Sequence, residues 1–242
     1  MIVFFHNKLQ GIGIKTERKM KSTAPANTYL NDAQACGKIY KISKIWKVTD
    51  MNMIGTQNIE TKRCLLRRIR LEDYKMMYEN WAKYESVCRY FPFDPIEEIT
   101  VYREKVRNWS KNYESDTYFH WVIESKENQQ LIGTINLGNL EASCHMSDTC
   151  YMLAPDHWNR GIMTEVLRAV LAYAFHKIGL NRVQAEVFSG NTASEHVLLK
   201  CGMQYEGIAR QKYYKNGTFI DTAQYAVLRQ DYEALTHSTD SP

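Results

Sequence analysis

Apolar positions along this chain recur at two spacings, and from residue 60 onward the two alternate in blocks. The run 64–69 is mostly apolar and predicts a first strand. Leu71-Glu72-Asp73-Tyr74 opens a predicted helix over 71–81. Between residues 95 and 112, Ile96, Ile99, Val101, Tyr102, Val106 and Trp109 recur at helical spacing. That predicts a second, longer helix, with Glu97 and Glu98 in a first turn that favours anions. Residues 117–124 alternate aromatic and β-branched side chains, and after a polar turn at 126–129 the run 130–137, with Gly133, reads as the next strand. The pair predicts a hairpin. A further strand is predicted over 147–153, ended by Pro155, which cannot donate to a ladder.

The stretch 162–177 carries Val166, Leu167, Val170, Leu171, Ala174 and Phe175 on one helical face, and Gly179 closes it. A strand follows at 182–188, then a short helix at 192–200. Two last strands, 204–212 and 218–229, join through Lys215-Asn216-Gly217. The order is β α α β β β α β α β β. It predicts an α/β (α+β) fold with a mixed central sheet of about seven strands and flanking helices.

Residues 1–52 lack this order. They predict a basic, poorly ordered N-terminal extension, with one short amphipathic helix over 38–47. A folded domain is expected over 53–235 and a flexible tail over 236–242. Charge supports the division. Residues 1–50 hold nine Lys/Arg against three Asp/Glu, a net +6, while the rest holds 22 against 24, a net −2. The domain is therefore not expected to bind nucleic acid. Hydrophobic and charged contents of 44% and 24% fit a soluble folded protein, and no apolar run approaches a membrane span. The six cysteines form no CxxC pair and no zinc-like cluster with histidine. Scattered thiols without a secretory signal imply a cytoplasmic setting, and no metal or membrane partner is expected.

Chemistry concentrates at 151–165. A strand ends, Arg160-Gly161 follows, and a long helix begins at once. The first amides of such a helix lack intrahelical acceptors and face outward with the positive dipole end, so the junction suits a phosphate. Neither a GxGxxG nor a GxxxxGK[ST] pattern is present.

The run Tyr151-Met152-Leu153-Ala154-Pro155, continuing as Trp158-Asn159-Arg160-Gly161-Ile162-Met163-Thr164-Glu165, resembles the acetyl-CoA loop of the GNAT N-acetyltransferase superfamily. It looks most like the branch that includes the ribosomal-protein N-terminal acetyltransferases. Asn191-Thr192-Ala193-Ser194 and Lys200-Cys201-Gly202-Met203 follow at the interval that branch uses. The resemblance spans roughly residues 58–233, and the element order matches. It implies a GNAT fold with a splayed, cofactor-binding strand pair.

By the same resemblance, the backbone at Met152 and Leu153 would pair with pantetheine. The amides of Asn159, Arg160, Gly161, Ile162, Met163 and Thr164 would hold the pyrophosphate. Asn191 would bond the pantetheine or a bridging water, Ser194 would lie near the sulfur, and Lys200 near the nucleotide phosphates. The chain departs from the pattern at Asn159 and Met163, where small residues are usual. It departs again at Leu198, where many relatives have a tyrosine acid.

Asp148 is the expected base, and His120 an alternative. Ser194 is the remaining candidate acid. Tyr90, Phe91, Phe93 and His120 are expected to wall the acceptor pocket. The implied reaction is direct transfer of acetyl from acetyl-CoA to a primary amine, a protein N-terminus or a small molecule, in a ternary complex. The alternative is a GNAT-like module that binds acyl-CoA as a sensor. A monomer or a homodimer is compatible with either.

Overall fold

The computed structural model describes residues 51–239, so the expectations for 1–50 lie outside the described residues. The chain is tied into the domain by Asn52, whose backbone N–H donates to Ile178 O at 2.8 Å. Among the described residues no helix is long and apolar enough to cross a membrane.

The strands are β1 Ile59–Glu60, β2 Cys64–Arg67, β3 Phe119–Ser125 and β4 Leu131–Glu141, then β5 Met146–Leu153, β6 Arg182–Phe188, β7 Gln204–Lys215 and β8 Thr218–Leu228. They form one sheet in the order β1-β2-β3-β4-β5-β6-β8-β7. Every pairing is antiparallel except β5 with β6. Eight strands replace the expected seven because the two-residue β1 adds an edge.

A 3-10 turn, Leu71–Asp73, leads into α1, Tyr74–Met77, which ends in a π turn, Tyr78–Ala82. The short α2, Glu85–Cys88, was not foreseen. Helix α3, Ile99–Asn112, begins four residues after Pro95. The backbone of Ile96 bonds back to Ala82 O instead, at 3.2 Å, and Glu98 is an extended N-cap rather than a first-turn residue. Helix α4, Ile162–Ala172, continues as a π turn, Tyr173–Ile178, and stops at Gly179 with φ 92°. Helix α5 is Thr192–Lys200, and a last helix, α6, Arg229–Thr239, follows β8 directly.

Strand β3 is buried on both faces, and that explains why its sequence is nearly continuous in apolar residues. Phe119, Trp121 and Ile123 pack toward the core that takes Val166, Leu167, Val170 and Leu171 of α4. Val122 packs the other way, with Met77, Trp81, Tyr102 and Val106 of the α1–α3 layer. Helices thus cover both faces of the sheet. At its far edge Asn216 (φ 51°) and Gly217 (φ 78°) turn β7 into β8, in the left-handed pair that a two-residue hairpin needs.

Candidate active site

The parallel ladder of β5 and β6 is short: Met146↔Arg182, Ser147↔Val183, Asp148↔Gln184. Beyond Asp148 the strands part. β5 stays bonded to β4 as far as Leu153, and β6 stays with β8 as far as Phe188. The fork between them opens into a cavity of about 600 Å³.

One wall is an unpaired strand edge. The backbone N–H of Ala154 donates to Ile132 O at 2.7 Å. By antiparallel alternation the peptide groups of Ala154 and Met152 face β4, while those of Leu153 and Tyr151 face the fork. Leu153 therefore offers its N–H to the cavity, and its carbonyl accepts from Trp158 Nε1 at 2.8 Å. Met152 lines the cavity, but its peptide groups face β4, and its side chain packs against the α1–α3 layer.

The fork is closed at one end by the start of α4. Asn159 (φ 58°) and Gly161 (φ 69°) both adopt the left-handed region, turning the chain sharply into the helix. No side chain caps α4, and its first bond runs from Glu165 N–H to Gly161 O at 3.2 Å. The amides of Ile162, Met163 and Thr164 are left without helical acceptors at the cavity wall. The Met163 side chain is only 6% exposed and packs in the core, so it leaves its amide accessible. Arg160 is exposed and does not line the cavity. Its carbonyl accepts from Arg63 Nη1 at 2.8 Å, and Arg63 also bonds Glu165 through Nε at 2.6 Å and through its backbone N–H at 2.8 Å. Arg63 pins the loop and the first helical turn together.

The opposite wall is α5. Asn191 caps it, its Oδ1 accepting the Ser194 N–H at 3.3 Å. Ser194 Oγ lies 2.8 Å from the Tyr151 hydroxyl, and burial pushes that phenol well above its ordinary pKa, so it stays protonated. Lys200 lines the cavity near the end of α5, while Leu198 is fully buried.

The roof comes from Tyr90 and Phe91 after α2, with the rings of Tyr213 and Phe188 tilted against each other at 5.1 Å beside them. Phe93 stands behind, stacked on Phe91 at 5.1 Å. His120 does not reach the cavity. It is 7% exposed, bonded through Nδ1 to the Tyr118 hydroxyl at 3.0 Å and edge-on to Trp109 at 4.9 Å. Burial and the nearby Lys105 charge push its pKa down to about 3.

Asp148 also lies outside the lining. It is 2% exposed at the last paired position below the fork. Its Oδ2 accepts from Asn139 Nδ2 at 2.7 Å and its Oδ1 from Gln184 Nε2 at 2.6 Å. Burial raises its pKa against the pull of those two bonds. The carboxylate thus bridges β4, β5 and β6 where the strands separate.

Several lining groups carry no sequence signal. Glu186 and Tyr213 sit on strand positions that read as ordinary surface, and Arg89 sits in a loop. Tyr151 was legible as strand, but not as a partner of Ser194 on a helix 43 residues away.

The comparisons agree with this geometry. The acetyltransferase (GNAT) domain family matches residues 63–204. The uncharacterized N-acetyltransferase YoaA of Bacillus subtilis (strain 168) is 34% identical over 171 residues, covering 71% of this chain and 96% of its own length. The [ribosomal protein uS5]-alanine N-acetyltransferase of Escherichia coli (strain K12) is 19% identical over 180 residues, 72% of this chain and 92% of that protein. Among solved structures, the spermidine N-acetyltransferase from Vibrio cholerae in complex with CoA and spermine superposes with a TM-score of 0.62 at 20% identity. It covers 70% of this chain and 98% of that one. With a strand fork, a bare helix start and a family match over most of the described domain, this chain belongs to the GNAT family of N-acetyltransferases.

Proposed function

We propose that the chain transfers acetyl from acetyl-CoA to a primary amine, a protein N-terminus or a small molecule, by direct attack in a ternary complex. The observation that carries this reading is the parting of β5 and β6 after the Asp148–Gln184 pair, with the free amides of α4 at the same cavity. In this reading an extended pantetheine bonds the free Leu153 and Tyr151 edge as a missing strand would. The helix start, with its dipole and three unsatisfied amides, suits a pyrophosphate. Asn191 and Lys200 lie on the same wall, near the pantetheine and phosphate positions respectively.

When bound, acetyl-CoA supplies an activated thioester, so the protein needs no covalent nucleophile. Its work is alignment and charge handling. The Leu153 N–H polarises the thioester carbonyl. Ser194, hydrogen-bonded to a protonated Tyr151, returns a proton to the departing thiolate, the task that Leu198 cannot perform. The proton leaving the amine passes to water beside Glu186, the carboxylate that lines the described cavity. Asp148 acts at one remove, by holding the root of the fork.

Thiol release from acetyl-CoA, measured over a panel of primary amines, tests the reading. Acceptor-dependent release with N-acetylated product supports it. Tight CoA binding without acceptor-dependent release would favour the acyl-CoA sensor instead.

A further inference from the structure

The roof end of the cavity carries one cation, Arg89, and no free carboxylate among the described residues. Glu186 is the only acid among the described lining residues, and its oxygens are engaged by Lys212 Nζ and by the Tyr213 hydroxyl at 3.1 Å. Arg89 lines the same cavity, its guanidinium 5.4 Å from the Tyr90 ring centroid. No described Asp or Glu lies within ion-pair distance of it. Lys105 stands behind the roof, 4.9 Å from the Phe93 ring and 5.4 Å from Trp109, also without an acidic partner among the described residues. Burial pushes its pKa down.

Arg89 is also presented on a fixed backbone. Lys215 Nζ donates to the carbonyls of Cys88 at 2.8 Å, Phe91 at 2.8 Å and Phe93 at 3.1 Å, on both sides of it. A guanidinium that is unpaired, held in place and open to a substrate cavity is suited to a planar anion, which it can grip through two parallel N–H bonds.

We propose that the acceptor is a primary amine bearing a carboxylate a few bonds from its nitrogen, and that Arg89 pairs with that carboxylate. The proposal rests on the acetyl-transfer reading above and narrows its substrate class. In the transfer the amide N–C bond forms and the C–S bond breaks; the amine loses one proton and the thiolate gains one. A polyamine meets the wrong field here, because its second ammonium would face Arg89 with no free acid to hold it. The same positive field disfavours the charged form of an arriving ammonium, which eases its deprotonation.

The test is steady-state acetylation by the full chain of five acceptors. These are a free α-amino acid, a short peptide with an acidic second residue, the neutral amide counterpart of each, and spermidine. The expected result is a kcat/KM about tenfold higher for the carboxylate-bearing amine than for its amide. Arg89→Gln should erase that ratio and Arg89→Lys should restore part of it, both with an unchanged KM for acetyl-CoA. The first two acceptors distinguish a free amino acid from an acidic N-terminus. Equal rates for acid and amide, or spermidine as the best acceptor, overturn the proposal. So does a rise confined to the acetyl-CoA KM, which would place Arg89 at the nucleotide. Release with none of the amines overturns the acetyl-transfer reading itself; release as fast with the amides as with the acids, or fastest with spermidine, overturns only the substrate class.

Discussion

The Tyr151 hydroxyl lies 2.8 Å from Ser194 Oγ, joining the free edge of β5 to the first turn of α5 across the fork. In the proposed transfer the pair is the group that returns a proton to the departing thiolate. Ser194→Ala should lower kcat about 100-fold, and Tyr151→Phe, which leaves the serine in place, about tenfold. The KM for acetyl-CoA should stay near wild type in both. Steady-state kinetics with acetyl-CoA as the varied substrate checks this, and a fall in affinity without a fall in kcat would assign the pair to binding alone.

Arg63 makes its bonds to the opposite side of the site, to Arg160 O and to both Glu165 oxygens. It touches neither the amine end nor Ser194. Arg63→Ala should loosen the left-handed Asn159–Gly161 turn and raise the KM for acetyl-CoA about fivefold, equivalent to ~1 kcal/mol, with kcat preserved. Titration calorimetry with CoA gives the same comparison without turnover.

Lys215 is a buried cation satisfied by three backbone carbonyls, with the largely exposed Asp94 carboxylate at 3.7 Å. Removing its charge strands those carbonyls and frees the segment that roofs the cavity. Lys215→Met should cost about 2–4 kcal/mol in chemical denaturation. Lys215→Arg should recover part of the stability, and the acceptor KM should follow the same order.

His120 is held neutral, with a pKa pushed down to about 3, whereas in the unfolded chain it titrates near its ordinary value. Between those two values the unfolded state binds the extra proton, so stability falls as pH falls. The slope from this residue is ~1.4 kcal/mol per pH unit, or about 2 kcal/mol between pH 6.5 and 5. His120→Asn should flatten that part of the profile, as measured by denaturation midpoints at the two pH values. Because the ring lies outside the cavity, the pH dependence of catalysis should change far less.

Local signals made the phosphate end readable and left the amine end opaque. Gly161 before an apolar-periodic helix is a short-range pattern, and the left-handed turn with three open amides needs nothing beyond it. Asn191 likewise declares itself as a cap three residues before Ser194. The amine end is assembled from distant parts. Lys215 reads as a hairpin-turn lysine in the water, yet its acceptors lie more than 120 residues earlier. Asp148 sits in the motif where a base is expected, but a strand position does not say whether a carboxylate reaches the fork or ties its root to Asn139 and Gln184. The π turns at Tyr78–Ala82 and Tyr173–Ile178 shift helix phase without any glycine or proline inside them, and α2 is too short for periodicity to show.

Amide hydrogen exchange with and without CoA tests the central claim most directly, because it reads the backbone donors themselves. Slowed exchange at Tyr151, Leu153 and Ile162 to Thr164, with no change along β1 to β3, is the expected result. Unchanged exchange at those amides under saturating CoA, or protection centred elsewhere, would contradict the placement of the ligand in the fork.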